Sequence, residues 1–145
     1  MINSFESYLK EGKAKKQTPN IDESKSLIQK GKKRLNYTKS KEQNEDNAPF
    51  ILEDSYESAR EAAQSLMAIK GYKPYSHEAT ISFLNDFYKN EFSEQEIYEF
   101  DRYRQLRNNS VYRAEKINIE DAKNCLRFAE KIIEKIERLL KQISY

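Results

Sequence analysis

The sequence predicts an all-α protein of about five helices. Only three glycines and three prolines occur among its 145 residues, and long stretches between them are filled by Glu, Lys, Ala, Leu, Ile and Arg. Such a composition is typical of helices joined by short turns. Apolar residues make up only 37% of the chain and charged residues 34%, so either the core is thin and the helices are strongly two-faced, or part of the apolar surface is buried against another subunit. We therefore expect an oligomer. The length fits one domain with one core.

The first twenty residues are predicted to form a flexible or frayed segment. Residues 1–20 combine Lys, Gln, Thr and Pro, and the side chains that could pack are few: Phe5, Tyr8 and Leu9. This pattern favours a short or frayed helix followed by a linker. The bundle domain is therefore predicted over residues 21–145.

The first two helices of the bundle are predicted from their apolar spacing and their end signals. The first begins at Asp22 and carries the basic run KGKKR, residues 30–34, on its open side; this run is either a solvated face or a contact to a nucleic-acid backbone. Pro49 fits the first turn of the second helix, where its missing N–H costs nothing. Gly71 is a natural terminator. The apolar residues of the second helix recur at spacings of four and three, as expected for one helix face: Leu52, Tyr56, Ala59, Ala63 and Leu66.

Capping residues define the third and fourth helices. Ser76 is the predicted N-cap of the third helix, which ends near Asn90. The string SEQE places Ser93 and Glu96 at capping-box spacing, which predicts that the fourth helix begins there. The fourth helix is expected to run to about Tyr112.

The last helix has the most regular pattern in the chain. Asn118 is its predicted cap, and apolar residues then recur at three- and four-residue spacing from 119 to 143. The single cysteine, Cys125, falls inside this pattern without a partner or neighbouring ligands, so it is predicted to be a small core residue. We predict no disulfide, no metal site and no cofactor.

Polar residues interrupt the apolar face of the fourth helix. At about 100° per residue, an arc of roughly 100° contains Ile97, Phe100, Arg104, Arg107, Asn108 and Val111. The two arginines either form structural salt bridges, with Asp101, Glu99 or a carboxylate on another helix, or bind a phosphate. Asn108 either orients one arginine or caps the helix end.

Two further features bear on function and location. His77, the only histidine, either belongs to the turn KPYSHEA and packs or bonds locally, or approaches the polar residues of the fourth helix. No apolar run approaches ~18 residues, and the first residues lack the apolar segment of a signal peptide. We therefore expect a cytoplasmic protein without a membrane span.

The order of these helices, with the string FDRYRQLRNNSVYRAEKINIEDAKNCLRFAEKII, resembles the HEPN family (higher eukaryotes and prokaryotes nucleotide-binding). The resemblance covers roughly residues 20–143, and its most specific element is the Arg-Asn pair near the end of the fourth helix. It implies an up-and-down helical bundle that forms a two-fold homodimer, in which Arg-Asn pairs meet across a cleft. It also implies a partner, a minimal nucleotidyltransferase in a toxin–antitoxin-like pair, and a nucleotide or RNA as ligand.

The resemblance also implies roles for residues of the fourth helix. In ribonuclease members an Arg is followed four to six residues later by His; Arg107 matches the Arg and Asn108 its polar neighbour, but Tyr112 stands where the His is expected. A Tyr, with a pKa near 10, is a poorer base at neutral pH than a His near 6.5. The tyrosine that some family toxins carry for modification with AMP is replaced here by Ala114.

The sequence and the family resemblance together leave three alternative functions. In the first, Arg104, Arg107, Asn108 and Tyr112 form a dimer-cleft site that binds a nucleotide or RNA, with His77 close by. In the second, the protein is a variant metal-independent endoribonuclease in which Tyr112 or His77 acts with Arg107. In the third, Arg107 only holds the dimer together.

Overall fold

The protein is a helical bundle with a small two-stranded sheet. A computed structural model describes residues 2–143. Within that range the elements follow one another as α1 (Phe5–Lys10), β1 (Ala14–Lys16), α2 (Ile21–Lys39), α3 (Ala48–Lys70), β2 (Tyr72–Pro74), α4 (His77–Phe87), α5 (Glu94–Arg113) and α6 (Ile119–Gln142). The predicted helical bundle is confirmed, with a short sixth helix added at the N-terminal side.

Helix α3 is the centre of the bundle and contacts α2, α4, α5 and α6. Its small residues, among them Ala59 and Ala63, are completely or almost completely buried, which lets neighbouring helices approach closely. One close approach is at Gly31 of α2, where an added Cβ would lie 2.9 Å from the carbonyl oxygen of Ser58. Glycine is therefore required in this helix by packing, although it disfavours a helix interior.

The predicted helix ends are confirmed by their hydrogen bonds. The side chain of Ser76 caps α4, that of Asn118 caps α6, and Ser93 forms a capping box with Glu96. Gly71 ends α3 in the left-handed conformation, with φ of 93°.

Helix α4 ends at Phe87, three residues before the predicted Asn90. Tyr88 leaves the helical conformation, and its carbonyl oxygen accepts a hydrogen bond from the backbone of Phe92. The resulting turn buries Phe92, which is 2% exposed. Burial of this ring ends the helix earlier than local preference predicts.

The short helix predicted within residues 1–20 is present as α1, but the prediction that this segment is flexible or frayed and continues as a linker is wrong for residues 5–16. Phe5 is 2% exposed, its ring lies edge-on to Tyr72 and Phe83, and its backbone N–H donates to Asp86 at 2.7 Å. Strand β1 pairs with β2 in antiparallel register. Long-range contacts, which composition does not reveal, thus hold this segment against α4.

Three residues of the basic run KGKKR form ion pairs between helices. Arg34 donates two hydrogen bonds to Glu61 of α3, at 2.8 and 3.2 Å, and Lys30 lies 3.4 Å from the same carboxylate. Lys32 pairs with Glu137 of α6 at 2.8 Å. These contacts give the run a structural role in joining α2 to its neighbours. Among residues 2–143, no helix is both long and apolar enough to cross a membrane.

Candidate functional site

A group of charged side chains lies where the C-terminal half of α5 meets α3 and the first residue of α4. We call Glu57, Arg60, His77, Arg104 and Arg107 the arginine site. The side chains of Arg60 and Arg107 are each 18% exposed, and that of Arg104 is 15% exposed. Three guanidinium groups are thus largely withdrawn from water in one region, where they interact more strongly with an anion than they would on an open surface.

Arg107 has contacts on two sides but is incompletely bonded. Its Nη1 donates to the side-chain oxygen of Asn108 at 3.1 Å, as the orienting role predicted for Asn108 requires. Its Nε lies 3.5 Å from Oε1 of Glu57. Both of these atoms are buried, and neither makes a hydrogen bond within the described residues. The Arg107–Glu57 pair is therefore an ion pair without a matching hydrogen bond.

Glu57 is held mainly by Arg60, one turn further along α3. Arg60 donates to Oε2 of Glu57 from Nη2 at 2.7 Å and from Nε at 3.2 Å. Burial by itself would raise the pKa of Glu57, but the hydrogen bonds and charge of Arg60, followed by the charges of Arg107 and His77, lower it. Glu57 is therefore a carboxylate at neutral pH and neutralises part of the positive charge.

Arg104 forms salt bridges within α5 and to α4. Its Nε donates to Asp101 at 2.7 Å, one turn earlier on α5. A second carboxylate, Glu78 at the start of α4, lies 3.9 Å from its Nη1. Arg104 is thus fixed by two carboxylates.

His77 lies beside these charges because it begins α4, which packs on α3. Its Nδ1 is 3.1 Å from the hydroxyl of Tyr56, and the two rings pack with their centres 5.6 Å apart, so the hydrogen-bond partner of His77 belongs to α3 and not to its own turn. Burial, reinforced by the charge of Arg60, lowers the pKa of His77 to about 4. The imidazole is therefore neutral at pH 7.

The end of α5 departs from the predicted buried arc. Ile97 and Phe100 are buried as expected, but Val111 is 43% exposed. Ser110 faces α3 instead, and its hydroxyl donates to Glu53 at 2.7 Å. The last turn of α5 thus contacts α3 through Ser110 and leaves Val111 at the surface.

Tyr112 is the most exposed of the predicted site residues. Its side chain is 74% exposed, and its ring centre lies 5.7 Å from the guanidinium carbon of Arg107. Tyr112 therefore borders the arginine site from the solvent side. This distance fits a cation–π contact.

Sequence reasoning missed Tyr56, Glu57 and Arg60. On α3 the polar residues Glu53, Glu57, Arg60 and Gln64 follow one another at spacings of four, three and four. This is also the pattern of an ordinary solvated helix face, so nothing in the sequence singles them out. No group of three or more metal-ligating side chains occurs within the described part of the chain.

A family model for the HEPN domain matches residues 24–139, which include the whole arginine site. The chain belongs to the HEPN domain family. This family is known for nucleotide binding and for ribonuclease-like members, and HEPN domains commonly dimerise. Neither the curated proteins nor the solved structures contain a match to this chain.

Proposed function

We propose that this HEPN protein acts as a homodimeric binding protein, whose arginine site and Asn108 hold a phosphoryl group of a nucleotide or of RNA. The observation that carries the proposal is the incomplete bonding of Arg107. Its Nη1 donates to Asn108 and its Nε faces Glu57, whereas its Nη2 makes no hydrogen bond within the described residues and is not among the buried atoms. A phosphoryl oxygen would give this Nη2 a charge-assisted hydrogen bond.

The donor groups of the region support the same ligand class. Arg60, Arg104 and Arg107 bring three guanidinium groups together, with Glu57 and Asp101 in hydrogen-bond contact and Glu78 at 3.9 Å from Arg104. The planar donor groups of arginine match the oxygens of a phosphate. A tetrahedral anion therefore fits the site better than a neutral ligand.

We further propose that the protein acts in a toxin–antitoxin-like pair with a minimal nucleotidyltransferase as its partner.

The homodimer would use the end of α5, where Val111 and Tyr112 are exposed beside Arg107. Apolar side chains in such a position are suited to contact a second copy. In this arrangement the arginine sites of two subunits would lie close to the dimer interface.

Binding is tested with adenosine monophosphate and with a short single-stranded RNA, using calorimetry and fluorescence anisotropy at low salt. Arg107→Ala should weaken binding about 10-fold or more, because a hydrogen bond to a charged group is lost. Arg138→Ala removes the same charge from a side chain that is 61% exposed. Arg138 lies far from Arg107 along the bundle. Lys135, three residues before Arg138, contacts Glu96 at the start of α5, whereas Arg107 lies near the end of that helix. Equal affinity in the two variants would contradict the proposal.

The oligomeric state of each variant is measured by light scattering. If Arg107→Ala shifts the monomer–dimer balance and leaves affinity unchanged, Arg107 is a dimer residue and the binding proposal is wrong. Unchanged dimerisation with weakened binding is the expected result.

One observation favours a second function, the variant metal-independent endoribonuclease. The ring of Tyr112 lies against the guanidinium of Arg107, so a phosphate held by Arg107 would be close to the phenol. Cleavage of a mixed RNA pool in chelator, abolished by both Arg107→Ala and Tyr112→Phe, would support this activity. Cleavage that persists in Tyr112→Phe would exclude Tyr112 as a catalytic residue.

A further inference from the structure

We propose that His77 is a neutral hydrogen-bond donor of the arginine site, held by Tyr56 in the form that carries its proton on Nε2. The inference rests on the phosphoryl-binding function proposed above and assigns a role within that site. His77 would donate from Nε2 to an oxygen of the phosphoryl group. Tyr56 is then a positioning residue, because it acts through the imidazole.

Tyr56 is buried and keeps its phenolic proton. Its side chain is 1% exposed, and its hydroxyl makes one hydrogen bond within the described residues, to Nδ1 of His77 at 3.1 Å. Burial raises the pKa of Tyr56, so the phenol keeps its proton. The phenolic proton therefore needs an acceptor, and Nδ1 is the acceptor in reach.

The reverse assignment leaves a buried donor without a partner. If Nδ1 carried the proton and donated to the phenolic oxygen, the phenolic proton would point into the core without an acceptor. Buried polar groups without partners are strongly disfavoured. Because a neutral imidazole has one protonated nitrogen, donation from Tyr56 to Nδ1 places the proton on Nε2.

Charged side chains on two helices face the imidazole ring of His77. Arg60 and Glu57 face His77 from α3, and Arg104 and Arg107 face it from α5. Burial and the three positive charges disfavour the imidazolium form. Within residues 2–143 no hydrogen bond reaches Nε2, and this nitrogen is not among the buried atoms without partners. Nε2–H is therefore free to meet a ligand among the three guanidinium groups.

This assignment has a chemical consequence for the site. A general base must accept a proton on an unprotonated nitrogen. In His77 that nitrogen is Nδ1, which already accepts from the buried phenol, while Nε2 can only donate. His77 thus recognises a phosphoryl oxygen and does not remove a proton from a ribose hydroxyl.

The chain contains a single histidine, so its imidazole gives one unambiguous set of signals in long-range proton–nitrogen NMR spectra of the whole protein. At pH 7 we expect Nε2 to show the shift of a protonated nitrogen and Nδ1 that of an acceptor. In Tyr56→Phe, which keeps the ring but removes the hydroxyl, both nitrogens should move toward the averaged shifts of a free imidazole. A proton on Nδ1, or a charged ring at pH 7 in the unaltered protein, overturns the inference.

Affinity for a phosphoryl probe gives the second measurement. His77→Ala should weaken binding about fivefold, the effect of one neutral hydrogen bond, while His77→Gln, whose amide can donate, should recover most of the loss. Adenosine monophosphate and the short RNA separate a terminal phosphate from a backbone phosphodiester, and either probe can show the effect. Equal affinity of His77→Ala and the unaltered protein for both probes overturns the inference.

The two proposals fail in different ways. If Arg107→Ala binds both probes as well as the unaltered protein does, the phosphoryl-binding function is wrong, whatever the NMR spectra show. If Arg107→Ala weakens binding but the spectra place the proton on Nδ1, the binding function stands and the role of His77 is wrong.

Discussion

The ion pair between Arg34 and Glu61 joins α2 to the central helix, and we expect its loss to cost much more than the loss of a surface pair. The side chain of Glu61 is 3% exposed and that of Arg34 is 30% exposed. The pair is held by two hydrogen bonds, at 2.8 and 3.2 Å, and the hydrogen bond to Glu61 raises the pKa of Arg34. Arg34→Ala would leave a buried carboxylate with one weaker partner, Lys30 at 3.4 Å.

The expected magnitude follows from this geometry. Removal of one partner from a fully buried pair costs ~3–5 kcal/mol. Because Arg34 is partly exposed and Lys30 remains, we expect Arg34→Ala to lower the free energy of unfolding by ~2–3 kcal/mol. Arg138→Ala breaks a pair whose side chains are 61% and 73% exposed, and should cost less than ~0.5 kcal/mol.

Urea unfolding at pH 7, followed by far-ultraviolet circular dichroism, measures both variants, since the chain has no tryptophan. Arg34→Met keeps much of the apolar stem and removes the charge, so it separates lost packing from the lost ion pair. We expect Arg34→Met to be nearly as destabilised as Arg34→Ala. A cost for Arg34→Ala no larger than that of Arg138→Ala would refute the reasoning.

Three further predictions concern the packing and titration of single residues. Gly31→Ala should lower the free energy of unfolding by ~1–2 kcal/mol, because the new Cβ would lie 2.9 Å from a backbone oxygen of α3; a stabilised variant in urea unfolding would contradict the close approach. Phe5→Ala should cost ~3 kcal/mol because this ring is buried, whereas a truly frayed segment would give no change in melting temperature. The folded pKa of His77, about 4, lies below its ordinary value of about 6.5, so the unfolded chain takes up the proton first and stability falls as the pH falls between these values. As the pH falls over that range, the free energy of unfolding of His77→Gln should therefore drop by ~1 kcal/mol less than that of the unaltered protein, allowing for solvent screening of a half-buried ring. Parallel curves of unfolding free energy against pH, measured by urea unfolding, would show that His77 does not contribute.

The sequence by itself determined the features that depend on neighbours along the chain. The caps at Ser76, Ser93 and Asn118 were predictable because each side chain bonds a backbone N–H three residues later. The apolar spacing predicted the buried face of α6 for the same reason, since helical periodicity follows from local geometry. The helical bundle and the HEPN resemblance rest on these local patterns.

The tertiary structure decided which distant residues meet, and the arginine site depends on that. Arg104, Arg107 and Asn108 were singled out because they interrupt an apolar face, but Glu57 and Arg60 belong to a polar stripe that looks like a solvated surface in the sequence. The packing of α3 against α5 turns this stripe inward, and the packing of α4 brings His77 beside it. The order of residues 5–16 has the same origin, since pairing with β2 and burial against α4 are contacts between segments far apart in the chain. Such contacts arise from shape and burial in the folded state, which no short window of sequence contains.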